Sequence, residues 1–297
     1  MAVMVGIFAG LAAIALNRSL VAVLGYLHHY RHFWWAFTLP ALGAALSSLF
    51  LDKVVNEGAG HGVPEVIYSV SRYGGLIRLR SSFSRLISSC LTIGSGGSAG
   101  PEAPVVMSGA AIGSNIARLF NLNDRQRVAL VGCGSAGAIG AIFNAPIAGM
   151  VFTMEVVLGE WSAVNIIPIA IAAVTGTKVS RLLQGNNIAF AHREFQIDMG
   201  DIAACVGLAL CCAAVSILMT RALRGMGARV GKIKLPLWLK AALGGAIVGL
   251  IGIGLPDVLG EGYHTIQQAI AGEFRTGLLI AAAILGLKVI ATAFTLG

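Results

Sequence analysis

Charge is scarce in this chain. Only 11% of its 297 residues are Asp, Glu, Lys or Arg, where soluble domains carry about 25%. A water-soluble globular domain is thereby excluded. Period-two alternation is also missing, since apolar runs such as residues 166–174 are continuous. That excludes a transmembrane β-barrel. The five cysteines, Cys90, Cys133, Cys205, Cys211 and Cys212, all lie in apolar segments without metal-ligand spacing. They are expected to pack in the core, with no metal held. The glycine-rich run 94–100 is not followed by Gly-Lys-Ser/Thr, so it is no phosphate loop. There is no His-Glu-x-x-His, no Gly-x-Ser-x-Gly nucleophile in a strand–helix turn and no nucleophile–base pair. Neither an enzyme nor a cofactor is expected. The first apolar segment lacks a basic leader and a cleavage site, and reads as the end of a span, not as a signal peptide.

Apolar residues and glycine are abundant. The hydrophobic share is 57%, and there are 39 glycines; mean hydropathy is +0.83. These values specify an all-α, multi-pass integral membrane protein in a lipid bilayer, with room for roughly ten spanning or half-spanning helices. Glycines within apolar runs point to closely packed and broken helices. The net charge of +8 fits positive-inside loops better than nucleic-acid binding. Arg72, Arg78, Arg80 and Arg85 read as one short cytoplasmic loop.

The pattern predicts helices at about 2–24, 33–54, a short one from Pro64, 82–94, 102–120, 128–142, 146–159 and 164–183. After a polar linker at about 184–199, further helices are predicted at about 201–224, 234–254, 258–271 and 275–296. The segment 82–94 is too short to span. Short apolar segments interrupted by Gly and Pro are the sequence mark of a transport site near the bilayer midplane. Non-helical backbone is tolerated at that depth only where protein buries it or it lines a cavity.

Two such breaks stand out. Gly58–Pro64 frees backbone N–H groups to face a ligand, and Pro64 opens a helix whose positive end faces the same way. His61 is the single polar side chain inside it, and reads equally as an anion donor or as an interfacial loop histidine. The second break, Gly94–Pro104, places Glu102 in the first turn of an apolar helix. A carboxylate there competes with a solute anion for the helix-start N–H groups, and its protonation would open the site; the bland alternative is a simple helix cap. Glu155 lies late in an apolar helix and reads as a proton-path residue or as half of an interfacial ion pair, the second being favoured. Phe143-Asn-Ala-Pro146 reads as a helix break with an Asn cap. Gly132–Gly137 reads as small-residue helix packing.

Taken together, these motifs resemble the signature of the CLC family of chloride channels and proton/chloride antiporters. Gly60-His61-Gly62-Val63-Pro64 matches the family's Gly-Ser-Gly-Ile-Pro. Gly100-Pro101-Glu102-Ala103-Pro104 matches Gly-Arg/Lys-Glu-Gly-Pro, and Phe143–Pro146 matches Phe-Asn-Ala-Pro. The resemblance implies an inverted repeat of tilted, broken helices in a single domain over 1–297, with a first repeat at about 1–183 and a partial second at about 200–297. It also implies a homodimer with one pore per subunit, chloride as bound substrate, and residence in the cell membrane. By position, Glu102 resembles the gating glutamate. Gly60, His61, Gly62, Val63 and Pro64 resemble the inner anion-binding loop, and Gly100, Pro101, Ala103 and Pro104 the outer part of the filter.

Departures from the pattern bear on function. His61 replaces the anion-coordinating serine. Pro101 and Ala103 replace a basic residue and a glycine beside the gate. Val156 stands where many exchangers carry an inner proton glutamate, which favours a channel over an antiporter and leaves Glu155 as an alternative proton route. The family's Gly-x-Phe-x-Pro stretch would begin near Gly297, so the chain is expected to be incomplete at its C-terminus. A non-conducting membrane scaffold or subunit is the alternative of another class.

Overall fold

The computed structural model describes residues 1–29, 33–56, 62–186, 198–271 and 277–296. Among these residues every regular element is helical. In order they are α1 (Ala2–His28), α2 (Thr38–Leu49), α3 (Val63–Tyr73), α4 (Ser81–Gly94), α5 (Glu102–Leu119), α6 (Asp124–Phe143), α7 (Pro146–Phe152), α8 (Ala163–Gln184), α9 (Met199–Lys232), α10 (Leu237–Gly254), α11 (Tyr263–Ala271) and α12 (Leu278–Leu296). Wider π-helical turns extend α2 over Phe50–Val55 and α7 over Thr153–Leu158. Among the described residues, six helices are long and apolar enough to cross a membrane. The chain is an integral, multi-pass membrane protein.

Two compact units are distinguishable. One comprises Met1–Tyr30, Leu46–Gly94 and Gly100–Ala189; the other comprises Arg31–Ala45, Ser95–Ala99 and Phe190–Gly297. The linker expected at about 184–199 falls largely on 187–197, outside the described residues.

In the first unit, α1, α6 and α8 lie side by side, running the same way. A β-carbon at Gly6 would meet Ala172, and one at Gly140 would meet Thr177. The tightest approach is between α5 and α6, where a β-carbon on Gly109 or Gly134 would overlap the other's carbonyl group. Without a hydrophobic force between helices in lipid, such backbone approach is what dispersion packing needs. The small-residue reading of 132–137 is therefore borne out. Val5, Leu130, Cys133, Met154 and Ile169 fill one core cluster, and Val66, Val106, Val131, Ile139 and Val157 a second.

Helix α4 ends at Gly94, and α5 turns back toward the end where α4 begins. Ser114 Oγ donates to the Gly75 carbonyl at 2.7 Å and accepts the Ile77 N–H at 2.9 Å. Ser108 Oγ donates to the Ser82 carbonyl. Helices α4 and α5 thus form an antiparallel helical hairpin. Helix α6 begins at the hairpin's base, where Asn123 and Gln126 form a capping box and Arg127 bonds the Gly74 carbonyl at 2.8 Å.

In the second unit, α10 packs against residues 37–41 through Gly245 and Gly249, and against α12 at Gly244, where a β-carbon would lie 2.7 Å from the Phe294 carbonyl oxygen. Val248, Val258, Ile284 and Ala291 form its core cluster.

Four expectations are corrected. Helix α6 is one element of 20 residues beginning at Asp124, because the capping box recruits the polar residues 124–127. Helix α9 runs through Arg221, Arg224 and Arg229 to Lys232, since long basic side chains are good helix formers. The helix expected at 258–271 is a 3-10 turn at Pro256–Val258 and a separate α11, split by Gly260 and Gly262 at positive φ. Of the cysteines, only Cys133 is buried, while Cys205, Cys211 and Cys212 are exposed on α9. Apolar residues on a membrane helix face lipid as readily as a core.

Candidate functional site at the meeting of two helix breaks

Gly62 precedes α3 with φ +68° and ψ −94°, a conformation open in practice to glycine alone. Val63 and Pro64 start the helix, with Pro64 where a missing N–H costs nothing. Across from it, Pro101 precedes α5, Glu102 lies in the first turn, and Pro104 follows. The two breaks meet directly. A β-carbon at Gly62 would lie 2.9 Å from the Ala103 carbonyl oxygen and 3.0 Å from the Ala103 methyl. The positive ends of α3 and α5 therefore converge on one place, as a site for an anion requires. Pro101 and Pro104 are buried, whereas Glu102 and Ala103 are half-buried. Gly60 and His61 lie outside the described residues.

The Glu102 side chain folds back over Gly100. A β-carbon there would sit 2.7 Å from the Glu102 carboxyl carbon and closer still to Oε2. Gly100 needs no unusual φ; it is the missing side chain that lets the carboxylate lie where it does.

In the first turn of α3, Glu65 accepts from a buried guanidinium, with Arg85 Nη2 at 3.2 and 3.3 Å from its carboxylate oxygens. Arg85 is 8% exposed and lies within α4. The expectation of one loop is thus corrected for Arg85 and for Arg72, which lies in the last turn of α3, while Arg78 and Arg80 lie in the connection between α3 and α4. A cavity of about 330 Å³ opens beside this pair, lined among others by Asn56, Ser69, Arg78, Ser81 and Met107.

Asn144 caps the end of α6 in the left-handed conformation, its N–H bonded to the Gly140 carbonyl. Its side chain accepts from Arg181 Nε and donates to Asn186 at 3.0 Å. Glu155 is exposed in the π-helical turn after α7. It has no ion pair among the described residues, so the favoured pairing with a basic residue is not found there. Sequence reasoning missed three features, the Glu102–Gly100 contact, the Glu65–Arg85 pair and the hydrogen bonds of Ser98 with Thr292 and Thr295. The first had a signal in the Gly-Pro-Glu triplet, while the other two join residues far apart in sequence.

Residues 43–297 match the family described as voltage gated chloride channel. The chain belongs to this family, the CLC proteins. A ClcB-like protein of Ralstonia nicotianae is 30% identical over 79% of the chain and 56% of its own length. An H(+)/Cl(-) exchange transporter, ClcA of Klebsiella pneumoniae, is 27% identical over 94% of the chain and 63% of its own length. The chain thus spans less than two thirds of these CLC relatives. Among solved structures, a slow cyanobacterial Cl-/H+ antiporter superposes with a TM-score of 0.86 at 18% identity, covering 100% of the chain and 73% of that structure. At that identity the likeness shows the fold, which is the CLC fold of tilted and broken transmembrane helices.

Proposed function

We propose that this chain carries the chloride-permeation path of a CLC protein, with Glu102 as its gate and the converging starts of α3 and α5 as its anion site. The observation that carries the reading is the contact of Gly62 with Ala103, which brings two helix N-termini to one point beside a carboxylate. An ionised Glu102 offers its own charge to that site. Protonation removes the competitor and admits the solute anion. The backbone of Gly60–Pro64 and Gly100–Pro104 supplies the coordinating groups, so the path needs no cofactor. Arg78 and Arg85 on the wall of the cavity beside Glu65 favour anion entry from the side of the basic loop. A homodimer with one path per subunit, in the cell membrane, completes the proposal.

Two modes share this site. Val156, at the position of the inner proton glutamate, supports a passive channel gated by Glu102. The names of similar proteins, an H(+)/Cl(-) exchange transporter and a Cl-/H+ antiporter, support coupled exchange at least as well, with the exposed Glu155 as a proton route. Reversal potentials across a pH gradient separate them. An exchanger's potential moves with pH in a fixed ratio, and a channel's stays at the chloride equilibrium.

The deciding experiment is chloride efflux from liposomes containing the wild type or Glu102→Gln at several pH values. Wild-type efflux that falls as Glu102 ionises, with efflux in the variant independent of pH, supports the gate. A folded protein that moves no chloride in either form overturns transport by this chain and favours a scaffold.

A further inference from the structure

Helix α9 is apolar along residues 202–220 and basic over its last turns. Asp201 is the last carboxylate before Asp257, and Arg221, Arg224, Arg229, Lys232, Lys234 and Lys240 stand between them. The 34 residues of α9 extend about 51 Å at about 1.5 Å each. The hydrocarbon core of a bilayer takes about 30 Å of that, or roughly 20 residues. The basic turns therefore begin where the headgroups begin.

The cations keep to one side. At about 100° per residue, Arg221, Arg224, Arg229 and Lys232 fall within roughly 140° of arc, and Leu223, Met226 and Val230 lie opposite. Those three apolar residues are partly buried, whereas the four cations are exposed. Among the described residues none of the four is in an ion pair. Lys240 Nζ donates to the Val230 carbonyl at 2.9 Å, which holds the start of α10 against the end of α9. The connection between them brings the exposed Lys234 and Trp238 to the same end. An indole ring settles at headgroup level. All of these residues belong to one compact unit.

We propose that this basic face of α9, together with Lys234, is a docking surface for the headgroups of anionic phospholipids. Charge that only sets the orientation of a span needs no particular face, while a one-sided row of cations complements a row of lipid phosphates. The arginines take phosphate oxygens through paired N–H groups, and the lysines act as point charges. Trp238 fixes the depth. The surface is independent of the Glu102 gate and of whether the chain conducts.

The test uses the chain in phosphatidylcholine nanodiscs that carry a trace of spin-labelled phosphatidylglycerol or of spin-labelled phosphatidylcholine. The fraction of each label immobilised at the protein gives the preference for the anionic lipid. Wild type should prefer phosphatidylglycerol, and the preference should fall as salt rises. Arg221→Gln with Arg224→Gln, and separately Lys232→Gln with Lys234→Gln, should each lower it by about fivefold, the weight of one basic residue beside an anionic membrane surface. Arg221→Lys with Arg224→Lys should keep it. Glutamine matches arginine and lysine in helix propensity, so the helix persists, and size-exclusion confirms that each variant is folded. A preference that survives both glutamine pairs, or that ignores salt, overturns the proposal. Inorganic phosphate, added at an ionic strength matched with chloride, should displace no more labelled lipid than chloride does. Stronger displacement overturns the assignment to lipid and gives the surface to a soluble phosphate.

Discussion

The carboxylate of Glu102 occupies the space that a side chain at residue 100 would need. A β-carbon on Gly100 would come 2.7 Å from its carboxyl carbon. The obstacle is the far end of a flexible side chain, not backbone, so Gly100→Ala should fold and displace the carboxylate. A displaced carboxylate no longer competes for the helix-start N–H groups. Chloride efflux from Gly100→Ala is expected to lose most of its pH dependence and to resemble that of Glu102→Gln. A wild-type pH profile would show that the carboxylate's place over Gly100 is irrelevant to gating.

Gly62→Ala should behave in the opposite way. Gly62 combines a φ of +68° with a β-carbon that would lie 2.9 Å from the Ala103 carbonyl oxygen. Backbone cannot swing aside as a glutamate can, and so sparsely populated a conformation costs an L-residue about 1–3 kcal/mol. The variant is expected to lose thermal stability in detergent, read by size-exclusion after heating, where Gly100→Ala loses little. Equal losses in the two would refute the distinction between a packing glycine and a gate glycine.

These two glycines show what was legible in the sequence. The breaks announce themselves because Gly and Pro interrupt apolar runs, and the proline after each marks where a helix must start. Glu102 is conspicuous as a carboxylate in apolar surroundings. That Gly62 touches Ala103 is a tertiary fact, and the sequence suggests only that the two breaks could meet. The start of α6 and the end of α9 lie beyond the apolar runs, because the helices continue through residues 124–127 and 225–232. Helix formation follows propensity and caps, which charge does not interrupt. Nearness in sequence groups Arg85 with its basic neighbours, whereas Glu65, to which it is bonded, stands 20 positions away.

The Glu65–Arg85 pair is asymmetric, and its mutants should be too. Arg85's side chain is 9% exposed and Glu65's 37%. Removing Arg85 leaves a carboxylate that water reaches; removing the carboxylate leaves a cation largely withdrawn from water. Breaking a buried pair by deleting one partner costs about 3–5 kcal/mol when the survivor is fully buried. Glu65→Gln should cost more than Arg85→Met, and less than that figure because Arg85 has further contacts. The double variant should recover part of the loss, with a coupling of about 1–3 kcal/mol. Denaturant unfolding of the four proteins in mixed micelles measures the cycle, and additivity within about 0.5 kcal/mol would mean that the pair contributes no interaction of its own.

Ser114 provides the sharpest test of the α4–α5 hairpin. It is fully buried, and its hydroxyl both donates to the Gly75 carbonyl at 2.7 Å and accepts the Ile77 N–H at 2.9 Å. One side chain thereby satisfies two backbone groups of the turn between α3 and α4. Ser114→Ala removes one atom and orphans both groups, at a cost of about 1–3 kcal/mol for each group left buried without a partner. The loss should be local. Hydrogen exchange of residues 74–80 should accelerate, while α1 and α8, which receive no bond from Ser114, stay protected. Because α3 ends at this turn, α5 is bonded to it through Ser114, and the two helix starts meet at Gly62 and Ala103, loosening it should also widen the distribution of the gap between their starts. Chloride efflux in Ser114→Ala is therefore expected to fall by severalfold with its pH midpoint unmoved, since Glu102 itself is untouched. A shifted midpoint with unchanged exchange at 74–80 would contradict this division between the base of the hairpin, which holds the site together, and its tip, which titrates.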